Sequence, residues 1–362
     1  MPTFVLSGAH VGAKFGIFKT LDLINAGAGQ NYLLGKHAAI PTTLLDGGTF
    51  YDFPYLQSVA ITVEGAVQPV QAIGLQNIAA LEEVAIAFQD ITVEMLAQPI
   101  PALEKIFNMF KRTSSTYNHY PFVALRMGVK GVYYKEGGDF RNALIDIWSC
   151  VPRQLTFNQP EGGAATIRLS LGGGYIYAEV PSTTDVSVAY NINKGILNVY
   201  EGVLKFFADE SGNNPILQDV PFYVSSLSLD IRNTVNPIHT FLGGNFSDET
   251  YLKAVRLWRA VMDAIQIVEG NMTVYIPKDI TTQLNINKLT KVGRMDIIYY
   301  PFAGSSAPSS GLPSNYEMKI SLFNVKFTRS NTNIAPDRAV QWTVNFNASH
   351  PSQEAWAFEV TP

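Results

Sequence analysis

Residues 55–73 read YLQSVAITVEGAVQPVQAI, and residues 223–241 read YVSSLSLDIRNTVNPIHTF. Both stretches alternate apolar and polar residues, pass through a turn and end in a second short apolar run. Strict alternation is typical of strands with one buried face, as found in antiparallel sheets. At an offset of 168 residues, four positions are identical, namely Tyr55/Tyr223, Ser58/Ser226, Val67/Val235 and Pro69/Pro237. The two stretches therefore indicate a β fold that occurs twice in the chain.

Two further stretches extend this repeat. Residues 79–95 (AALEEVAIAFQDITVEM) match residues 260–276 (AVMDAIQIVEGNMTVYI) at an offset of 181. The change from 168 to 181 predicts a 13-residue insertion near 242–259 of the second copy. Residues 164–172 match residues 339–347 at an offset of 175. The repeat thus covers strands from the first, middle and last parts of each copy.

The length and charge of the chain agree with a duplication. Half of the 362 residues is 181, and each half carries a net charge of −2. We therefore expect a first β domain over residues 1–181 and a second over residues 182–362, with the boundary near Pro181. The alternative is two β domains of one class that look alike by chance.

Charged residues are scarce. They make up 15% of the chain, whereas hydrophobic residues make up 47%, and a typical soluble domain is about 25% charged. Such a chain can bury a large core, which excludes overall disorder. The net charge of −4 argues against a tight nucleic-acid binder. Scarcity of charge is expected if much of the surface is buried against other copies, because the cores of interfaces are depleted of charge.

The start of the chain, Met1–Phe15, lacks the basic segment and apolar run of a signal peptide, and no stretch has the 18 apolar residues of a membrane helix. We therefore expect no membrane partner.

The periodicity predicts a mainly β protein made of two similar β-sandwich or barrel domains, each with a packed helix. Strands are predicted over 58–64, 84–96, 122–134, 143–157, 165–171, 196–207, 223–231, 265–276, 294–301, 316–328 and 340–347.

Two helices are predicted. In the first half, Pro101 opens a helix whose apolar stripe is Leu103, Ile106, Phe107 and Phe110. In the second half, Ser247-Asp248-Glu249 resembles a capped helix start, followed by a stripe of Leu252, Val255, Trp258, Met262 and Ile265.

The segment 303–315 reads AGSSAPSSGLPSN and is small and polar, with two prolines. This composition predicts a mobile hairpin loop. The candidate contact residues of this loop are Gly304, Ser305, Ser306, Pro308, Gly311 and Asn315. The alternative is an inert linker between two strands.

No catalytic constellation is visible in the sequence. The five histidines are scattered, and Cys150 is the single cysteine, so neither a zinc site nor an intrachain disulfide is predicted. Gly172-Gly173-Gly174 lacks the Lys-Ser/Thr that follows in a phosphate-binding loop. We therefore expect a protein that is not an enzyme and that uses no cofactor or metal.

The segments SLSLDIRNTVNPIHTFLGG (226–244) and VEGNMTVYIPKD (268–279) resemble the tail tube proteins of long-tailed bacteriophages. That family shows a strand, an N-x-x-x-P turn and a later strand of the form V-x-G-x-hydrophobic-T-hydrophobic. Here the turn runs from Asn233 to Pro237 and the later strand from Val268 to Val274. The first copy departs from the pattern, with Gly65 in place of the Asn and Gln89 in place of the Gly. Residues 315–328 and 339–349 are similar to the family's last strand pair.

The resemblance implies a structural subunit of the virion tail, assembled in the host cytoplasm. Family domains are small β sandwiches with one helix, which join side by side so that their inner sheets surround a lumen that conducts DNA. The ordinary ring contains six one-domain subunits, so a two-domain chain implies a trimeric ring with pseudo-sixfold symmetry. The implied partners are the chain itself, the tape measure, tail terminator and distal tail proteins, and DNA that passes without specific binding. We expect a mildly acidic lumen.

Three alternatives remain at this point. The inner tube of a contractile tail or secretion system shares the fold, and another virion protein, such as a capsid or baseplate β protein, is a second possibility. A carbohydrate-binding or hydrolytic β-sandwich protein is a third.

Overall fold

The structure is a computed structural model, and it describes residues 11–18, 39–63, 66–70, 80–85, 89–111, 122–134, 139–172, 175–179, 182, 184, 186, 194–216, 223–233, 266–275, 291–300, 316–333, 341–351 and 354–361. The described residues form a mainly β protein in which every strand pair is antiparallel. The strands are β1 (Val11–Ile17), β2 (Tyr51–Asp52), β3 (Leu56–Val63), β4 (Ala66–Val70), β5 (Ala80–Ala85), β6 (Gln89–Leu96), β7 (Val123–Tyr134), β8 (Asp139–Gln159), β9 (Thr166–Gly172), β10 (Tyr175–Glu179), β11 (Gly202–Phe207), β12 (Pro215–Ile216), β13 (Tyr223–Asn233), β14 (Gln266–Tyr275), β15 (Lys291–Tyr299), β16 (Met318–Asn333), β17 (Gln341–Ala348) and β18 (Trp356–Val360). The described α-helix is α1 (Pro101–Asn108).

Most predicted strands overlap a single strand of the structure. The prediction of one strand over 84–96 is wrong, because β5 ends at Ala85 and β6 begins at Gln89. The strand predicted from residue 196 begins only at Gly202, after a short 3-10 turn over Val199–Glu201. The strands without a sequence prediction are the short or small-residue ones, β1, β2, β4, β10, β12 and β18. The alternation of apolar and polar residues in these strands is weak. They form strands because they pair with neighbouring strands.

The strand pairings of the first half recur in the second. In the first half the order is β3-β6-β9-β8-β7-β1-β2, with β10 also paired to β8. In the second half it is β13-β14-β17-β16-β15-β11-β12, with β18 also paired to β16. The two groups join where β13 pairs with β8. Sixteen strands form one connected sheet, and β4 and β5 form a separate pair.

β-bulges mark equivalent positions in the two groups of strands. One bulge falls at Gln57 in β3 and one at Ser225 in β13, 168 positions apart (225 − 57). Another pair falls at Arg153 in β8 and Thr328 in β16, 175 positions apart (328 − 153). Because a bulge interrupts the ladder at one residue, these pairs fix the correspondence of the strands, and they agree with two of the offsets read from the sequence.

The third offset is wrong by two residues. Leu56 pairs with Met95 beside the first bulge, and Val224 pairs with Val274 beside its counterpart, so β6 corresponds to β14 at an offset of 179 (274 − 95) rather than 181. The insertion between these strands is therefore 11 residues (179 − 168) rather than 13. A shift of two residues keeps every side chain on the same face, so alternation in the sequence cannot detect it.

Side-chain volume in the core supports the corrected offset. Ile91 pairs with Leu171 in the first half, and their counterparts Gly270 and Phe346 pair in the second. A Cβ on Gly270 would lie 2.5 Å from Cζ of Phe346. The large ring thus occupies the space that a side chain at position 270 would need. The first half has two medium-sized side chains at this pair of positions, and the second half has one large side chain opposite a glycine. The exchange keeps the core filled.

Strands β8 and β16 connect two parts of the sheet. β8 pairs with β7 and β10 along its first part and with β9 and β13 along its last part. Bulged strands bend, and the two parts contribute to one hydrophobic core, with Phe15 and Leu125 from one part and Val93, Leu155 and Leu169 from the other. The same core continues through the second half.

Helix α1 begins with Pro101 at a first-turn position, where a missing N–H costs no hydrogen bond. Its predicted stripe is buried, with Leu103, Ile106, Phe107 and Phe110 at 0% exposure. The ring of Phe107 stacks on Phe358 of β18, with 3.8 Å between centroids. A helix that follows a first-half strand therefore packs against a second-half strand. The helix predicted after Ser247 lies outside the described residues.

Among the described residues each half contains a largely buried Arg–Asp ion pair, between β7 and β8 in the first half and within β15 in the second. Asp146 is completely buried, and Oδ1 accepts from Nε of Arg126 at 2.8 Å while Oδ2 accepts from Nη2 at 2.7 Å. In the second half Arg294 donates to Asp296 at 2.6 and 2.9 Å and to Ser321 Oγ at 3.1 Å. Bidentate pairing compensates for the desolvation of these charges.

Candidate assembly surfaces

The sheet contains a run of eight strands in the order β3-β6-β9-β8-β13-β14-β17-β16, which we call the eight-strand sheet. One face of it packs on the core, and the other, the polar sheet face, is exposed or half-exposed. Alternation along each strand, together with the bulge at Arg153, places the following residues there: Ser58, Ala60, Thr62, Asp90, Thr92, Glu94, Arg153, Gln154, Thr156, Asn158, Arg168, Ser170, Ser226, Ser228, Asp230, Arg232, Glu269, Asn271, Thr273, Lys326, Thr343, Asn345 and Asn347.

The arginines of the polar sheet face whose side chains are described are all paired with carboxylates. Arg153 pairs with Asp90, and Arg232 pairs with Glu269. Arg168 lies 3.7 Å from Glu94. A paired guanidinium is less available to bind a phosphate, because its donors already face a carboxylate.

Two further charged groups complete this face. Asp230 accepts hydrogen bonds from Gln154 Nε2 at 3.0 Å and from the Thr156 hydroxyl. Lys326, the register partner of Asn347, is exposed, and within the described ranges it has no carboxylate within salt-bridge distance. Counting described side chains, the face carries four carboxylates and four cations, so it is balanced rather than acidic.

The two halves meet in a joint formed by β8 and β13. Six residues of each strand are paired, from Leu227 opposite Gln159 to Arg232 opposite Gln154. Leu227 and Leu229 on β13 are 5% and 0% exposed. The strand that begins the second group is therefore a central strand with its apolar face fully covered.

Buried hydrogen bonds close this joint at one end. Gln266 Nε2 donates to the Phe110 carbonyl at 2.8 Å and to Asn233 Oδ1 at 3.1 Å, and its Oε1 accepts from Trp356 Nε1 at 3.0 Å. Asn233 Nδ2 in turn donates to the Pro152 carbonyl at 3.1 Å. The network links residues of both halves, and such satisfied networks favour one packing arrangement over others.

A tyrosine closes the joint at the other end. The Tyr299 hydroxyl donates to Gln159 Oε1 at 3.0 Å, and its ring meets Phe157 edge-on at 6.0 Å. Burial raises the pKa of the Tyr299 phenol, with a smaller contribution from the nearby Glu201 carboxylate. The hydroxyl therefore stays protonated and keeps its role as a donor at any moderately alkaline pH.

Two edges of the eight-strand sheet have no neighbouring strand in the part of the chain that the structure describes. Among the described residues, β3 pairs only with β6, and positions 329–333 of β16 pair only with β17. Val59 and Ile61 of β3 pack against the core but stay half-buried. Their counterparts on β13, Leu227 and Leu229, are buried because β8 lies beside them. An uncovered strand edge of this kind is a template for pairing with another chain.

The other candidate residues give no site. Gly304, Ser305, Ser306, Pro308, Gly311 and Asn315 lie outside the described residues. Cys150 is buried, and burial raises the pKa of its thiol to about 12. Of the histidines, His350 is described, and its Nε2 lies 3.3 Å from Glu210. No group of three or more His, Cys, Asp or Glu side chains able to hold a metal occurs among the described residues.

Neither a protein-family model nor a curated protein matches the chain. None of the helices in the described ranges has the length and apolar character needed to cross a membrane.

Proposed function

We propose that this chain is the structural subunit of a bacteriophage tail tube. Residues 1–181 and 182–362 are then two tail-tube-type β-sandwich domains, three copies form a ring with pseudo-sixfold symmetry, and rings stack into a tube that conducts DNA. The observation that carries the proposal is the eight-strand sheet, which combines a polar face, a core face and, within the described ranges, an unpaired edge at each end. Closing such sheets into a ring removes the exposed edges.

The dimensions of a ring of three chains support this reading. Three sheets of eight strands supply 24 strands, and neighbouring strands are about 4.8 Å apart. The circumference is therefore about 115 Å and the diameter between backbones about 37 Å, which strand tilt increases. Closed sheets of 16 to 18 strands already leave an aqueous channel, so 24 strands leave a wider lumen for a DNA duplex.

The polar sheet face has the chemistry that passive DNA transport needs. Lys and Arg contacts to phosphates dominate the affinity of proteins for DNA. On this face Arg153, Arg168 and Arg232 are paired with carboxylates. Because the described charges of this face balance, we propose a neutral lumen in place of the mildly acidic one expected from the net charge. DNA would slide because few cations are available to hold it.

Electron microscopy of the purified protein tests the proposal. Negative-stain images should show rings or tubes, and native mass spectrometry should give a trimer as the smallest closed species. A protein that stays monomeric at high concentration, or that forms hexameric rings, would contradict the trimeric tube. Tape measure, tail terminator and distal tail proteins would contact the ends of such a tube.

The loop 303–315 is the proposed contact between stacked rings. Deletion of residues 304–312 should leave trimeric rings intact but shorten or abolish tubes, because the deleted loop would otherwise span the gap between rings. Replacement of residues 304–312 by a Gly/Ser segment of equal length serves as a control for chain length. Tubes of unchanged length and thermal stability after the loop deletion would contradict this role.

A further inference from the structure

The joint between β8 and β13 provides a template for a second joint between copies. β16 corresponds to β8 through their bulges at Thr328 and Arg153, and β3 corresponds to β13 through their bulges at Gln57 and Ser225. β8 and β13 are paired with each other, whereas the matching edges of β16 and β3 have no described neighbour. The two open edges are therefore the same two surfaces that already fit together inside the chain.

We propose that β16 of one copy pairs antiparallel with β3 of the next copy, in the register that β8 and β13 use. This inference rests on the proposed function and specifies its contact. In the internal joint Asn158 is opposite Ser228, and Thr156 is opposite Asp230. The positions of β16 are obtained by adding 175 to those of β8, and the positions of β3 by subtracting 168 from those of β13. This correspondence places Asn333 opposite Ala60 and Asn331 opposite Thr62.

The composition of the β3 edge supports pairing over protection. Solvent-facing edge strands are usually blunted by charged residues, proline or bulges. β3 reads LQSVAITV and contains neither a charged residue nor a proline. Its bulge at Gln57 does not prevent pairing, because β13 has the equivalent bulge at Ser225 and still pairs with β8.

Burial points to the same conclusion. Val59 and Ile61 stay half-buried at the β3 edge, whereas Leu227 and Leu229 at the covered β13 positions are 5% and 0% exposed. A strand laid against β3 would cover this apolar surface as β8 covers its counterpart. The occupant that the chain itself provides is β16 of a second copy. Because the two edges lie at opposite ends of one sheet, the contact is head-to-tail, and it generates a ring when the rotation between copies closes.

Disulfide trapping in the full-length chain tests the register. Cys150 is buried, so we expect the engineered cysteines to be the only thiols that form disulfides. The test variant is Ala60→Cys with Asn333→Cys, and the matched control is Ser228→Cys with Asn158→Cys at the internal joint. Directly opposite residues have Cα atoms about 4.5–5.5 Å apart, within the disulfide range of about 4.4–6.8 Å. A third variant, Ala60→Cys with Asn331→Cys, is shifted by two residues and is separated by about 7–8 Å.

The expected result is distinct for each variant under mild oxidation. The test pair should lose its monomer band on a non-reducing gel and give covalent dimers and a covalent trimer. The internal control should form its disulfide within one chain and keep the monomer band. The shifted pair should keep both its monomer band and its free thiols.

Microscopy of the same samples separates the two proposals. Suppose that rings or tubes form, but that only the shifted pair cross-links or that neither pair does. The proposed register is then overturned, whereas the tube proposal stands. If the internal control forms its disulfide but neither the variants nor the parent chain assemble, the tube proposal fails, and so does the proposed joint that rests on it. Cross-linked trimers from the test pair alone establish the joint.

Discussion

The buried carboxylate of Asp146 is expected to be one of the most sensitive single positions for folding. It accepts two hydrogen bonds from Arg126, at 2.8 and 2.7 Å, and one from the Ile40 N–H at 2.7 Å. Its side chain is 0% exposed and that of Arg126 is 12% exposed. Asp146→Ala would leave a guanidinium with little water and no counter-charge, together with an unpaired N–H.

Removing one partner of a buried ion pair costs about 3–5 kcal/mol. Arg126 keeps its hydrogen bond to the Ile40 carbonyl at 2.8 Å and its position over the Phe50 ring at 4.2 Å, so we expect the lower part of that range. With an m-value of about 3 kcal/mol per M, the urea midpoint should fall by about 1 M. Tryptophan fluorescence is a suitable signal, because Trp148 lies in the same strand and stacks on Phe18.

Two variants show whether burial of the charge is the cause. Glu94→Ala removes an exposed partner of Arg168 and should change stability by no more than about 1 kcal/mol. Arg126→Met combined with Asp146→Ala removes both charges and should be more stable than Asp146→Ala alone. The reasoning is refuted if Asp146→Ala costs no more than Glu94→Ala, or if the double variant is less stable than the single one.

Gly270→Ala should destabilise the protein by about 1–3 kcal/mol in the same urea assay, because the new Cβ would lie 2.5 Å from Phe346 and 2.3 Å from the Ser228 carbonyl. The matched control is Gly195→Ala, because Gly195 has open space around it. Equal effects of the two substitutions would count against the packing argument. The Cys150 thiol, whose pKa burial raises to about 12, should not react with a thiol reagent at pH 8 until guanidinium unfolds the chain; rapid labelling of the native protein would show that this strand is not buried. Ser228→Lys adds a cation to the polar sheet face and should make assembled tubes retain DNA at low salt and release it as salt rises, whereas unchanged DNA retention would argue that this face does not line the lumen.

The candidate surfaces were only partly visible in the sequence. Alternation identified the strands that carry the polar sheet face, such as 165–171 and 340–347, because a half-buried strand has a period of two. It could not identify which strands are edges, since β3 and β13 have the same pattern while one is open and the other is covered. The carboxylate partners of the arginines on this face also depend on neighbouring strands, which are distant in the sequence.

The sequence by itself determined the class of fold and the repetition of its strand pattern. Apolar and polar periodicity is local, so it was sufficient to predict a mainly β chain, the helix at 101–108 and the offsets of 168 and 175. Tertiary structure alone decided the offset of 179, because a slip of two residues changes the pairing but not the faces. It also decided that α1 packs on β18 and that β8 pairs with β13, since these contacts join distant segments whose complementarity appears only when both are folded.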